Sequence, residues 1–217
     1  MVFLDDPLPD SRAPMKKSST IDRILYAASA EIALRGIDGA RVEKIARDAG
    51  VTKQLVYHYF KTKDDLYRAV LETVSRDMEI LSEVEAYRNH PPRDAISLVI
   101  ETLFQGFMKH PEYRTFALDQ ALHEGEHISV ASHYLPTMRI VLSEVVAPIL
   151  ARGEKEGVFK PGLDPHVVFW MIFNLTAGCF LNEKIMPEIS GIDFTSLNGI
   201  ESWRSIVTTF VLDALRP

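Results

Sequence analysis

The stretch Val42–Phe60, VEKIARDAGVTKQLVYHYF, contains two short helical patterns separated by Gly50. A helix-turn-helix unit needs a small residue where its helices cross and, in the turn, a residue that readily adopts a positive φ. Ala46 and Gly50 meet these two requirements. Apolar residues of both helices are expected to be buried where the two helices pack together. These residues are Ile45, Ala49, Val51, Val56 and Tyr59.

Burial of these residues leaves polar side chains on the outer face of the second helix. Thr52 is expected to cap its N-terminus, and Lys53 and Gln54 follow at its tip. A lysine there can bond guanine and a glutamine can pair with adenine, whereas Leu55 can touch a thymine methyl group. The pattern predicts a helix that enters the major groove of double-stranded DNA, with contacts from Thr52, Lys53, Gln54, Leu55, Tyr57, His58 and Lys63.

The charge of the 217-residue chain is unevenly distributed. Its formal net charge is −6, yet residues 12–63 carry 11 Lys and Arg against 5 Asp and Glu. An acidic protein with a basic N-terminal quarter is expected to meet a polyanion only at that end. Lys63 is expected to bind phosphate at the start of a helix. An arm with Arg12, Lys16 and Lys17 is an open candidate for the minor groove.

Hydrophobic residues recur at helical spacing along the chain, and no stretch shows the alternation of a β-strand. The pattern predicts an all-α fold of about nine helices. Residues 1–19 contain three prolines and no periodicity, so they are predicted to be a disordered arm. The predicted helices span about 20–36, 42–50, 52–59, 63–87, 93–109, 112–124, 133–153, 165–182 and 198–215.

The composition favours a cytoplasmic protein. Cys179 is the single cysteine of the chain, which excludes an internal disulfide and indicates a reducing compartment. No secretory signal pattern is visible. The apolar run Val167–Leu181 has 15 residues, fewer than the roughly 20 that a membrane span needs. We therefore expect a buried helix there and no association with a membrane.

The run Arg41–Glu72 resembles the N-terminal domain of TetR-family transcriptional regulators. In that family Gly-Val-(Ser/Thr) leads to a Tyr- and Phe-rich helix end and then to Lys-x-Lys-(Asp/Glu)-(Asp/Glu)-Leu. The similarity covers about residues 20–72. The matching positions are Gly50, Val51, Thr52, Val56, Tyr57, Tyr59, Phe60, Lys61, Lys63, Asp64, Asp65 and Leu66.

The resemblance implies a division of the chain and an activity. A three-helix DNA-binding domain is expected at residues 20–66, and a helical ligand-binding and dimerisation domain at 67–217. The implied protein is a homodimeric regulator, a repressor that a small-molecule effector releases from a palindromic operator. Gln54 and Leu55 stand where members often have Gly and then Thr or Ser, so the base preference should be particular to this chain.

Aromatic residues and methionines are frequent in the middle of the chain, where they fit either a core or an apolar effector pocket with a few polar groups. Glu101 and Gln105 are further polar candidates by position. The predicted pocket residues are Phe104, Phe107, Met108, Tyr113, Phe116, Asp119, His123, Tyr134, Met138, Trp170 and Asn174.

The last two long helices carry more apolar residues than the surface of a monomer should expose. Pairing with a second copy would bury them in a four-helix bundle. Two-fold symmetry would then place two recognition helices in successive major grooves, roughly 34 Å apart. The predicted interface residues are Val167, Trp170, Met171, Leu175, Trp203, Ile206, Val207 and Phe210, within a stripe that also includes Ile200 and Leu215.

Residues 123–127, HEGEH, match the HExxH pattern of zinc hydrolases. That chemistry needs both histidines on one face of an intact helix, whereas Gly125 disfavours a helix there. We find no fingerprint of a cofactor and predict no catalytic residue. Two alternatives to a ligand-released repressor stay open: a helix-turn-helix protein without an effector, and a zinc hydrolase that uses the HEGEH segment. A structural metal, or a metal at an effector site, is a further candidate for this segment, although no metal ligand is predicted.

Overall fold

The computed structural model describes residues 19–76, 79–127 and 133–217, and these residues form helices without any β-strand. The arm predicted for residues 1–19 lies outside them except for Ser19. The predicted all-α class is confirmed.

The first three helices form the N-terminal unit. Helix α1 (Thr20–Gly39) begins at a capping box, in which the Ser19 hydroxyl accepts from the Asp22 N–H at 3.1 Å and the Asp22 carboxylate accepts from the Ser19 N–H. Gly36 has φ +69° and bends α1 where the sequence predicted its end. Helices α2 (Val42–Asp48) and α3 (Lys53–Tyr59) follow.

Helix α4 (Lys63–Arg76) starts at a second capping box, formed by Thr62 and Asp65. The sequence predicted one helix from Lys63 to about Tyr87. Two short helices follow, α5 (Glu79–Ser82) and α6 (Val84–Asn89), and the predicted helix is interrupted at Glu83, which leaves the helical conformation. The junction between α4 and α5 falls on residues 77–78, outside the described residues.

Most of the remaining helices pack around α7 (Pro92–Lys109), whose buried residues occupy several faces of the helix. Helix α8 (Glu112–Leu122) contacts both α1 and α11. The others are α9 (Tyr134–Ile140), α10 (Ala147–Lys155), α11 (Pro165–Leu181), α12 (Met186–Ser190) and α13 (Leu197–Leu215).

Helices α9 and α10 join through a π-helical turn, Val141–Val146, into one rod. Pro148 explains the irregularity, because it has no N–H for the carbonyl of Glu144. The rod Tyr134–Lys155 has 22 residues and a mean hydropathy of 1.4, long and apolar enough by composition to cross a membrane. Val141, Val145 and Ile149 lie instead in the protein core, as expected for the core helix of a globular domain.

Two hydrophobic cores organise these helices. The C-terminal core contains α7 residues together with buried residues of the rod, α11 and α13. The N-terminal core unites α1, α2 and α3 with the α4 residues Leu66, Tyr67, Val70 and Leu71. It also takes in Phe116, which belongs to α8. Helices α4 and α8 therefore connect the first three helices to the rest of the molecule.

Candidate nucleic-acid interface and effector cavity

The turn between α2 and α3 is a Schellman motif. The Val51 N–H donates to the Ala46 carbonyl at 2.9 Å, and the Gly50 N–H donates to the Arg47 carbonyl at 3.1 Å. Gly50 has φ +67°, a conformation that side chains with a Cβ disfavour. Gly50 therefore adopts the positive φ that the sequence predicted for the turn.

The Thr52 hydroxyl caps α3 and accepts from the Leu55 N–H at 3.2 Å. Val56 anchors the helix, because it is 1% exposed and packs in the N-terminal core. The predicted DNA-contact residues of α3 lie on its outer side; Thr52, Lys53, Gln54, Tyr57 and His58 are exposed, and Leu55 is half-buried.

Tyr59 departs from the expectation that it would help to close the unit. Its side chain is 42% exposed and meets the His58 ring edge to face at 5.4 Å. Val56 is the one fully buried residue of this helix.

Lys53 is not a free cation. Its ammonium group bonds the carboxylate of Glu43 on α2 and lies 5.7 Å from the centre of the Tyr57 ring. The hydrogen bond with Glu43 raises the pKa of Lys53, and the same bond lowers the pKa of Glu43. An acidic residue therefore shares the predicted reading surface with Lys53.

Lys63 is bound to the end of α1. Its side chain is half-buried, and its ammonium group donates to the backbone carbonyl of Asp38 at 2.8 Å. This bond fixes the start of α4 against α1. A phosphate contact by Lys63 would use the remaining N–H groups of the ammonium.

An exposed, capped second helix after a Schellman turn, set on a helical body, defines a helix-turn-helix DNA-binding protein. The model for bacterial regulatory proteins of the tetR family matches residues 24–70, and the model for the tetracyclin repressor-like C-terminal domain matches residues 92–211. The chain belongs to the TetR family of transcriptional regulators, as the resemblance predicted.

Individual relatives agree with this assignment. The chain is 24% identical over 200 residues to the HTH-type transcriptional repressor NicS of Pseudomonas putida, covering 91% of this chain and 92% of NicS. It is 38% identical over 94 residues to the repressor SCO4008 of Streptomyces coelicolor, covering 43% of this chain and 45% of that protein. The solved structure of the ketosteroid transcriptional regulator KstR2 of Mycobacterium tuberculosis has the same fold, with a TM-score of 0.66, 19% identity and coverage of 92% and 96%.

A cavity of about 310 Å³ lies between the two cores. Leu71, Val74 and Ser75 of α4 form one wall, and α7, α8, the rod and α11 form the others. Burial raises the pKa of the Tyr134 hydroxyl in this lining, while its hydrogen bond with Gln120 acts in the opposite direction. Seven of the predicted pocket residues line it, namely Phe107, Tyr113, Phe116, Tyr134, Met138, Trp170 and Asn174.

Six other candidates lie outside the cavity. Phe104 is fully buried in the C-terminal core, against which Met108 also packs. Glu101 pairs with Arg204 of α13 and accepts from the Gln105 amide. Asp119 and His123 belong to a polar cluster at the end of α8, described below. Leu71, Val74 and Gln120 also line the cavity, although nothing in the sequence pattern distinguishes them from other residues of their helices.

The predicted interface residues of α11 and α13 divide into outward and inward positions. Val167, Trp170 and Met171 are about half exposed, and Ile206 and Phe210 are 55% and 56% exposed. We call these five residues the apolar face. Leu175 and Trp203 are half-buried and joined by a hydrogen bond from the indole N–H to the Leu175 carbonyl, at 3.0 Å.

Val207 has to be reassigned. It is 2% exposed and packs in the C-terminal core, as do Ile200 and Leu215 of the same stripe. The apolar residues of α13 cover two faces of the helix, and this set turns toward its own subunit. A second copy could not reach them.

The HEGEH segment does not continue α8. The helix ends at Leu122, and Glu124 and Gly125 adopt φ values of +51° and +74°. The two histidines therefore do not share one face of an intact helix, the arrangement that HExxH hydrolases require. The break that the sequence predicted at Gly125 is present.

Proposed function

We propose that the protein is a repressor that binds a palindromic operator as a homodimer and is released by a small-molecule effector. The observation that carries this proposal is the position of α4. Leu71 packs in the N-terminal core and also lines the cavity. Phe116 of α8 does the same. A molecule in the cavity would thus contact the residues on which the DNA-binding unit rests.

The DNA contacts of the proposal come from α3. Lys53 and Gln54 at its tip would meet base edges, Leu55 a thymine methyl group, and Tyr57 and His58 phosphates or the groove wall. Thr52 and Lys63 would add phosphate contacts. Lys53 must exchange Glu43 for its DNA partner, a step that costs little because the pair is exposed.

The cavity points to the chemistry of the effector. None of the described residues that line it is charged, and the polar ones supply hydroxyl and amide groups, as from Thr102, Gln120 and Asn174. A volume of about 310 Å³ is at the lower end of the range of ligand pockets. We infer a small, neutral, largely apolar effector.

The apolar face would form the dimer. Trp170 belongs to it and also lines the cavity, so an effector would act next to the subunit contact. We propose that the effector favours a tilted α4, which changes the spacing of the two recognition helices. To lower the DNA-binding-competent fraction of the dimer from 99% to 1%, the effector must bind the tilted form more tightly by about 5.5 kcal/mol.

The two cores support a division into a DNA-binding domain at 20–66 and a ligand-binding and dimerisation domain at 67–217, with α4 crossing that boundary. We propose a cytoplasmic location and no enzymatic activity. The interrupted HEGEH helix argues against the zinc-hydrolase alternative. The cavity argues against a protein without an effector, for which filled space would be expected.

Selection of binding sites from random duplex DNA tests the first half of the proposal. We expect a palindrome whose half-sites lie about one helical turn apart. Lys53→Ala should lower affinity for it by roughly 5- to 150-fold, equivalent to about 1–3 kcal/mol. Recovery of no preferred sequence, with the chain folded, would contradict DNA recognition by α3.

Release from the selected site by neutral metabolites tests the second half. Ala117→Phe fills the cavity, since Ala117 is part of its lining. This variant should keep its DNA affinity and lose release by the effector. Leu118→Phe is the matched control, because the neighbouring side chain is 48% exposed and outside the lining. Equal release of both variants would exclude the cavity as the effector site.

A further inference from the structure

We propose that Asp119, His123 and His127 form a binding site for one divalent transition-metal ion of the Zn²⁺ class. Each residue offers one ligand atom, and these atoms all lie within 4.8 Å of one another. The site lies outside the effector cavity, and it goes beyond the proposed function because metal binding here does not depend on DNA or on an effector.

The spacing of the ligand atoms suits tetrahedral coordination. The Nδ1 atom of His123 is 3.0 Å from one Asp119 carboxylate oxygen, and the Nδ1 atom of His127 is 3.0 Å from the other. Two zinc bonds of about 2.0–2.1 Å at the tetrahedral angle separate their ligand atoms by about 3.3–3.4 Å. These two nitrogen–oxygen distances are close to that value. All the ligand atoms lie within 4.8 Å of one another, so a bound ion would draw the more widely separated atoms together.

Asp119 needs a positive partner. Its carboxylate is buried, and its only ion-pair partners in the described part of the chain are the two histidines. The Oδ1 atom accepts no hydrogen bond from any described group, since the imidazole of His123 is near it without suitable geometry. A buried carboxylate oxygen without a donor is costly, and a bound cation would remove that cost.

The break in α8 creates the cluster. The left-handed conformations of Glu124 and Gly125 turn the chain back, and the Gly125 N–H donates to the Gln120 carbonyl at 3.0 Å. This turn brings His127 next to Asp119, and the two imidazole rings lie 4.9 Å apart. Three protein ligands leave one tetrahedral position open for water or another donor. Glu124, at the position of the general base in HExxH hydrolases, is exposed and is not one of the three ligand residues.

Groups from two further helices hold the cluster in place. The Tyr67 hydroxyl of α4 donates to Asp119 at 2.6 Å. The Nε2 atom of His123 is 3.6 Å from the carboxylate of Asp38 in α1. Histidines that bind metals commonly direct the second ring nitrogen to a carboxylate, and imidazole with carboxylate suits zinc and its neighbours. The ion would join the end of α8 to α1 and α4.

Competition with a chromophoric chelator measures the site directly. The full-length chain, purified without a polyhistidine tag and stripped with EDTA, should bind one Zn²⁺ per chain. Removing a residue that only orients a metal ligand typically weakens binding by about 10- to 100-fold. Asp119→Asn and His127→Gln remove ligands themselves, so each should weaken Zn²⁺ binding by more than this. Co²⁺ in place of Zn²⁺ should give the visible spectrum of tetrahedral coordination.

His166→Gln is the matched control. His166 is an exposed histidine next to an aspartate, with its Nδ1 atom 3.1 Å from Asp164, and its loss should leave Zn²⁺ affinity unchanged. Circular dichroism of the metal-free variants verifies that they fold, and His123→Gln replaces any that do not. The proposal is overturned if the wild-type chain binds no Zn²⁺, or if the ligand variants bind it as tightly as the wild type.

Discussion

Glu43 of α2 and Lys53 of α3 form an ion pair across the helix-turn-helix, on the surface that we propose faces DNA. The carboxylate both occupies the ammonium group and places a negative charge near the phosphates. Glu43→Gln removes both effects, so affinity for the selected operator should rise about 2- to 5-fold, the range of an exposed ion pair.

Fluorescence anisotropy over a series of salt concentrations measures this change, and the dependence on salt should also steepen. Asp213→Asn is the control, because it removes an exposed aspartate that pairs with Arg216 beyond the end of α13. A weaker complex for Glu43→Gln would show that the pair orients Lys53 for binding instead of competing with DNA.

The apolar face leads to a prediction about assembly. Ile206→Asp and Phe210→Asp place a charge where a second copy would bury an apolar side chain, so each should convert the dimer into a folded monomer. Light scattering after size-exclusion chromatography measures the mass. Leu34→Asp, at an α1 position that is 75% exposed, should leave the dimer intact; a monomeric wild type would refute the interface.

Arg152 holds the end of α6 in place. Its guanidinium donates to the carbonyls of Tyr87 and Arg88, both at 2.8 Å, and of His90 at 3.1 Å. A lysine cannot reproduce this planar set of donors, so Arg152→Lys should lower the free energy of unfolding by about 2–3 kcal/mol. Urea denaturation measures the loss, and Arg139→Lys, an exposed position on the same rod, should change little.

Gly153 lies against the ring of Phe159. A Cβ atom at position 153 would come within 1.9 Å of a ring carbon, and Phe159 is fully buried. Gly153→Ala should therefore destabilise the fold by about 1–3 kcal/mol, although alanine favours a helix. The loss should shrink in a Phe159→Leu background; an equal loss in both backgrounds would exclude the contact as its cause.

Cys179 should be unreactive in the folded protein. Burial raises the pKa of its thiol to about 12, so the thiolate is rare at pH 8, and the thiol is also inaccessible. A thiol-specific chromogenic reagent should label it slowly in buffer and rapidly in denaturant. Unfolding returns the pKa to about 9, so this residue destabilises the fold increasingly as the pH rises above that value. Fast labelling of the folded chain would contradict this burial.

The features predicted correctly from the sequence depend on neighbours along the chain. Gly50 in the turn and the cap at Thr52 are set by residues within one helical turn, where spacing determines geometry. The exposed Tyr59 and the inward Val207 were assigned to the wrong surroundings, because periodicity identifies an apolar face without saying what covers it.

Contacts between distant residues were not accessible in the same way. Glu43 and Lys53 are ten positions apart, and Tyr67 and Asp119 are separated by 52. The aromatic residues in the sequence predicted part of the cavity lining. That α4 also forms a wall of the cavity follows only from the packing of the helices in the structure. The HEGEH pattern drew attention to His123 and His127, but it did not indicate that both imidazoles lie next to Asp119, which precedes the motif.

Phe116 supports the first three helices and encloses the cavity with the same ring. Genetic screens for variants that no longer respond to an inducer will encounter this position for two unrelated reasons. Some replacements will abolish sensing, and others will merely lower the amount of intact protein in the cell. Thermal melting of each isolate is needed to separate the two phenotypes.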